Sequence, residues 1–585
     1  MLRITGYSDK YSVCPGDNVK FYVNSEKNEN YSVDIVRLIH GDTNPDGPGF
    51  KEKIIRAACN KEYKGKNQKI HGGSYACVQP DHRMDVSSFT LQAFIFPTTP
   101  DKGVQGIITK WVGPKQSGFG MFIDENGCLA CWIGNGKGQV VKVSSGKPLL
   151  RKVWYMAAVS YDAKSKRVKV IQEPVVTPTN GGLGLSMLHP SSATTGMISQ
   201  VVKVKPAMNN APLLMAANTK RLSSGRYVKG GHYKEALSEF PLPEQEAVYN
   251  GKIDRPRFSS AALDKHSIDA LARGFTTCPA ELRSLVIAAW DFHANISDNI
   301  ASCQIIDTSP NKLDGFVINL PVRGMTGFNW TSDDIVYHHA PNEYGAIHFH
   351  DDDIDDARWD ESFSYTIPKK LKSGVYGARL RIQGKESPET EDYVPFFVRP
   401  PAGTATAKVC FIVPTNSYLA YSNDNLATNS VVAELLAGRV PIMQASDLYL
   451  NEHREYGLST YSCHSDGSGV CYSTRLRPIL NMRPKYRHWL SPSLWQLNAD
   501  LHLTDWLEEK GIEYDVHTDE DLDREGVDLL NRYRVVLTGS HPEYSSENML
   551  VAYESYQQSG GRWMYMGANG FYWVSQYHPD NSNII

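Results

Sequence analysis

The sequence predicts a multidomain α+β protein, with β-rich domains over the first two thirds and an α/β domain with an open parallel sheet at the C-terminal end. Three observations carry this prediction. At 585 residues the chain exceeds what one hydrophobic core can organise. Up to about residue 400, short alternating runs are broken by Gly, Asn and Pro clusters, the pattern of strands and turns. Beyond about 405, apolar runs alternate with helical stretches, which implies βαβ units.

Taken in order, residues 1–71 form a small β region, with strands expected at 18–23 (NVKFYV) and 31–38 (YSVDIVRL). Residues 72–275 carry denser runs at 89–96, 106–111, 120–123, 128–133, 154–162 and 167–171, the spacing of a two-sheet jelly roll. Residues 276–404 read as a further β-rich domain. It opens on 285–292 (LVIAAWDF), has a strand at 374–382, and is closed by the Arg399-Pro400-Pro401 punctuation. Residues 405–585 form the α/β domain. The 408–413 run (KVCFIV) is of the kind buried in a parallel sheet. Helices are expected at 501–510, 521–533 and 546–559, each leading into a strand, at 512–516, 533–538 and 563–566. Thr518 with Asp521 three residues on reads as a helix cap.

Composition excludes several function classes. The net charge of −3 gives no reason to expect nucleic acid or an anionic membrane as partner. No apolar run is long enough to span a bilayer, and the start lacks the apolar core of a signal peptide. Ten cysteines scattered over the length read as reduced thiols, and the chain reads as cytoplasmic.

Open parallel sheets bind ligands at the carboxyl ends of their strands. That rule brings several segments to one edge: 414–421 with Tyr418 and Tyr421, 539–544 with His541 and Glu543, 567–570 with Asn569, and the long 451–495 insertion with Tyr461 and Cys463. Two phenolates and a carboxylate are hard oxygen donors carrying three negative charges, a set suited to ferric iron rather than to softer metals. Packing is the ordinary use of tyrosine in a chain with 31 of them, so the pattern alone leaves both readings open.

The segments PTNSYLAYSND (414–424), GLSTYSCHSDGSG (457–469), TGSHPEYSS (538–546) and GRWMYMGANGFYW (561–573) resemble the large subunit of the N,N-dimethylformamidase family. So do AAWDFHANI (288–296), EYGAIHFHDDDIDDARW (343–359) and GVYGARLRI (374–382). The resemblance implies a mononuclear ferric iron held by Tyr421, Tyr461 and Glu543, with His541 and Asn569 beside the metal as catalytic residues. Tyr418 stands as the alternative to Tyr421. It also implies hydrolysis of a small amide substrate to formate and an amine, a separate small subunit, and homo-oligomerisation of the large one. Large chains of the family usually continue past the point where Asn583-Ile584-Ile585 ends this one, so the expectation is either that the chain is a fragment, incomplete at its C-terminus, or that another polypeptide supplies the rest of the active-site wall. In the 72–275 region, the succession ITKW, GFGMFID, CWIGNG, WYMAAVSYD and KRVKV is similar to concanavalin-like (laminin-G-like) domains. That fold serves sugar binding and plain scaffolding alike.

Other signals point elsewhere. His348 and His350 alternate onto one strand face before Asp351–Asp353, Asp355 and Asp356. The reading adopted is a β-edge running into a solvated acidic turn, with a second metal (calcium or zinc) as the alternative. Cys128 and Cys131 have CxxC spacing without a second pair. Glutamine amidotransferases share this general α/β architecture, which raises a cysteine nucleophile at Cys463. The turn after the 535–538 strand holds no Cys, however, and lacks the G-x-S-x-G elbow. The remaining alternative is a carbohydrate- or partner-binding protein whose α/β domain is only structural.

Overall fold

The computed structural model describes residues 2–175, 194–222, 242–294, 296, 303–382, 387–426, 435, 438, 440–491, 493–579 and 581–585. The chain is mostly β with few helices and divides into two units. One comprises Met1–Ile70, Asp355–His464 and Ser468–Ile585; the other comprises His71–Ile354 with Ser465–Gly467. Among the described residues no helix is long and apolar enough to cross a membrane. Among the described residues no two cysteines form a disulfide.

The second unit is built from antiparallel strands whose pairing closes on itself. One sheet runs through Gln105–Val112, Ser117–Ile123, Cys128–Asn135 and Val140–Pro148. The other runs through Gly251–Ser259, Phe89–Pro97, Tyr155–Asp162, Arg167–Pro174 and Gly196–Val201. Period-two alternation sends Phe89, Leu91, Phe119, Met121, Ile133, Val159 and Val170 into one core, where the Phe89 and Phe119 rings stack at 4.1 Å. The jelly-roll expectation for this region therefore holds. Cys131 is part of that core, and burial raises its thiol pKa.

The boundary expected at 276 is not a break. Strand Val286–Asp291 pairs with Gly251–Ser259, Gly315–Ile318 with Tyr75–Val78, and Ala346–Phe349 again with Gly251–Ser259. The remainder of the expected 276–404 domain, from Asp355 on, belongs with the N-terminal residues. Strand Phe363–Thr366 pairs with Asn18–Ser25, and Gly374–Ile382 pairs with Tyr31–His40. The β region foreseen at 1–71 is thus half of a sandwich completed from far along the chain. Its core holds Phe21, Val33, Ile35, Phe363, Tyr376 and Phe396.

In the same unit, four parallel strands lie in the order Tyr514–Thr518, Val409–Val413, Val535–Thr538, Arg562–Met564. Helices Leu497–Glu509 and Glu547–Gln558 fall within a few residues of expectation. The helix expected at 521–533 is divided into Asp519–Glu525 and Val527–Leu530, because Gly526 adopts φ +59°, which ends a right-handed helix. Thr518 caps the first of these through a reciprocal box with Asp521. With four short strands the sheet is too small to establish a glutamine-amidotransferase likeness.

Candidate metal and catalytic site

Strand Val409–Val413 is flanked by parallel neighbours on both sides, so its polar residues begin where it ends. The helix Thr415–Ala420 follows, and Tyr421 is its C-cap. The fully buried Tyr418 donates its hydroxyl proton to Asp500, which leaves Tyr421 as the tyrosine that reaches Glu543. Asp500 has a second role: its Oδ1 accepts from Ser540 N at 2.6 Å and so fixes the turn after strand Val535–Thr538. Beyond that turn, Glu543 N donates to Ser417 Oγ at 3.0 Å. The loop bearing Tyr461 is tied to the helix end, where Thr460 N donates to Ala420 O at 2.9 Å. Three separate stretches of chain are therefore held in place through their backbone amides before any functional side chain is considered.

Tyr421 Oη lies 2.5 Å from Glu543 Oε2, Tyr461 Oη lies 2.9 Å from Glu543 Oε1, and the two phenol oxygens are 2.9 Å apart. The two rings stack at 4.4 Å. A phenol has one proton. If both protons go to the carboxylate, the oxygen–oxygen contact between the tyrosines has no proton of its own. Burial, followed by the hydrogen bond to Glu543, holds the Tyr421 hydroxyl far above the usual phenol range. Burial, then the contacts with Tyr421 and Tyr544, does the same to Tyr461. Burial pushes the Glu543 carboxyl up, but hydrogen bonds from His541, Tyr421 and Tyr461 outweigh it and leave its pKa lowered. Three crowded acidic groups that must retain protons or gain a cation make a donor set that fits a hard, highly charged metal ion.

His541 Nε2 is 3.0 Å from Glu543 Oε2. A carboxylate only accepts, so Nε2 carries the proton and a neutral ring keeps its lone pair on Nδ1. Trp495 closes one side, with its ring 4.7 Å from His541 and 5.5 Å from Tyr421. Its buried indole N–H has no hydrogen-bond partner among the described residues. Sequence reasoning missed Trp495, Asp500 and Ser417. Asp500 and Ser417 act through backbone amides, which no side-chain pattern reveals.

Of the five residues expected here, the structure brings four together. Asn569 lies on the turn after strand Arg562–Met564 with φ +51°, in a segment attached by Ala568 N to Ser540 O at 3.3 Å. Its side chain is exposed and makes no hydrogen bond to the cluster among the described residues. Cys463 is likewise exposed. A cavity of about 610 Å³ elsewhere in this unit, lined by Ile4, Asp392, Arg483 and Tyr486, holds none of the five.

Burial holds the Asp500 carboxyl at about 6, although Tyr418 and Ser540 donate to it. An unfolded aspartate titrates near ~3.9, so the folded state binds the extra proton and loses stability as pH rises between those values. Asp500→Asn is expected to gain on the wild type by about 2–3 kcal/mol from roughly pH 4 to pH 7. Urea midpoints of both proteins across that range would measure this. Parallel curves would show that Asp500 is ionised in the fold throughout.

Known proteins match this chain over nearly its whole length. The family model described as N,N-dimethylformamidase beta subunit-like, C-terminal, matches residues 322–584, and the concanavalin A-like lectin/glucanases superfamily matches residues 71–172. An N,N-dimethylformamidase beta subunit of Alcaligenes sp. is 39% identical over 589 residues, covering 99% of this chain and 73% of that one. The corresponding subunit of Paracoccus aminophilus is 39% identical over 585 residues with the same coverage. Among solved structures, a SAP-like pentraxin from Limulus polyphemus aligns with 41% of this chain and 82% of its own, at 11% identity and a TM-score of 0.19. A sialidase CBM40 of Ruminococcus gnavus aligns with 35% and 95%, at 11% identity and a TM-score of 0.21. Likenesses that weak decide nothing, whereas the sequence relatives span nearly the whole chain. The chain belongs to the N,N-dimethylformamidase beta subunit family.

Proposed function

We propose that this chain is the large, iron-binding subunit of an amide hydrolase that cleaves a small amide such as N,N-dimethylformamide to formate and an amine. The observation that carries this reading is the triangle of Tyr421, Tyr461 and Glu543 oxygens, one edge of which lacks a proton to fill it. These three residues would hold the iron, as two phenolates and a carboxylate. Ferric iron bound there supplies Lewis acidity toward an amide carbonyl or a water molecule.

The remaining chemistry belongs to the side chains. Glu543 fixes the His541 tautomer through Nε2, so Nδ1 accepts the proton of the attacking water. The Trp495 indole N–H supplies a dry donor at the wall, available to the substrate oxygen. Asn569, on the neighbouring turn, is a further candidate donor to the same oxygen. Proton and hydroxyl of one water end on the amine and the formyl carbon, which balances the reaction without redox change. Further parts of this reading are a glutamine-amidotransferase-like architecture for the parallel-sheet region, a cytoplasmic location, and assembly with a separate small subunit and further large subunits. The assembly is supported by the relatives' designation as beta subunits.

The protein is expected to purify with about one iron per chain and a visible band from phenolate-to-ferric charge transfer, which Tyr461→Phe shifts or removes. Elemental analysis and absorption on one sample test this. A colourless, iron-free preparation that hydrolyses the amide at full rate would overturn it.

A further inference from the structure

His348 and His350 do not lead into a solvated turn. Asp352, Asp353 and Asp355 behind them are buried, which corrects the expectation for this segment. Strand Ala346–Phe349 carries His348, and His350 directly follows the strand. Period-two alternation turns both rings to one side, 4.1 Å apart. Across from them, Asp466 Oδ2 lies 3.0 Å from His348 Nε2, and the Asp466 side chain is 0% exposed. One ligand atom from each of His348, His350 and Asp466 falls within 4.8 Å of the other two. Tetrahedral coordination at about 2.0–2.2 Å sets ligand atoms roughly 3.3–3.5 Å apart, so only small side-chain adjustments separate this arrangement from a binding site.

We propose that His348, His350 and Asp466 form a second metal site, for one divalent ion of the zinc type. The donor set decides the class. Two imidazoles and one carboxylate suit zinc or cobalt, whereas calcium takes six to eight oxygens. The surroundings complete the pattern of a coordinating histidine. His350 Nδ1 is 3.1 Å from Asp353 Oδ2, and that same oxygen accepts from Ser74 Oγ at 2.6 Å. A carboxylate on one ring nitrogen fixes the tautomer and turns the other, Nε2, to the metal. The His348 and Asp466 side chains are both buried, so the donor atoms they offer are shielded from bulk water. Three protein ligands leave a fourth position for water, and the ion links residues 465–467 to the His348 strand. This site shares no residue with the iron reading and does not depend on it.

The test uses the full chain, stripped with chelator and titrated with Zn²⁺ or Co²⁺. One equivalent is expected to bind, with cobalt d–d bands of a nitrogen-ligated site and a rise in the thermal midpoint. Asp466→Asn and the double change His348→Gln with His350→Gln are expected to abolish the bands, while Tyr461→Phe keeps them. Asp353→Asn should weaken binding about 10–100-fold. Should the histidine variant fail to fold, the near-isosteric Asp466→Asn carries the test. Absence of a zinc-dependent midpoint shift in the wild type, or bands unchanged in Asp466→Asn, would overturn the proposal.

Discussion

Glu543→Ala is expected to lose bound iron and amide hydrolysis together, whereas Cys463→Ala keeps both. Glu543 is where the cluster converges: one carboxylate oxygen meets Tyr421 and His541, the other meets Tyr461. Removing it takes away a formal charge from the iron and leaves two stacked phenols whose burial already disfavours their charged forms. Two tyrosines that resist ionisation make a poor site for a trivalent ion, so the loss should be all-or-none rather than graded. Activity should fall to the uncatalysed background. Cys463 lies on the surface and is not part of the turn that follows the Val535–Thr538 strand. Iron content and turnover are measured on the same preparations. Iron retained in Cys463→Ala with activity gone would restore the thiol-nucleophile alternative.

The second large effect is expected at His541. Its Nε2 donates to Glu543 and its ring lies against Trp495, so it is oriented by a carboxylate and kept from bulk water. A base so held typically contributes about 10²–10⁴-fold. His541→Ala should therefore keep its iron and colour while kcat falls on that scale. His541→Gln, which can still donate to Glu543 but cannot take up a proton, should fall as far. If iron leaves in proportion to activity, His541 is a ligand and the oxygen-only donor set is wrong.

How much of this was legible follows from how local each signal is. The 408–413 run announces a central parallel strand because both its faces are covered, and the strand-end rule then selects the 414–421 and 539–544 segments without further information. The choice between Tyr418 and Tyr421 was not local. It depends on Asp500, some eighty residues away, taking the Tyr418 proton. Trp495 stands in an irregular stretch with no periodicity, so its packing against His541 could not be foreseen. The acidic run 351–356 looks solvated in sequence because its partners, Ser74 and Ser465 among them, come from remote segments. The domain boundary at 276 failed for the same reason: register between distant strands leaves no trace in either strand alone.

The N-terminal sandwich has a consequence for biosynthesis. Val23 N donates to Ser362 Oγ across 339 residues of chain, and strand Phe363–Thr366 covers the flank of Asn18–Ser25. At about 5–20 residues per second, the ribosome delivers that covering strand roughly twenty seconds to a minute after the strand it must pair with. Throughout that interval Asn18–Ser25 presents unpaired N–H and C=O groups along a β-edge, the kind of surface that templates aggregation. The intervening unit, His71–Ile354, emerges meanwhile and draws its strands from its own span apart from residues 465–467. Yield in a cell should therefore depend on how long nascent N-termini are shielded from one another, and slower growth at lower temperature or added holdase capacity should raise the soluble fraction more than any change at the metal site.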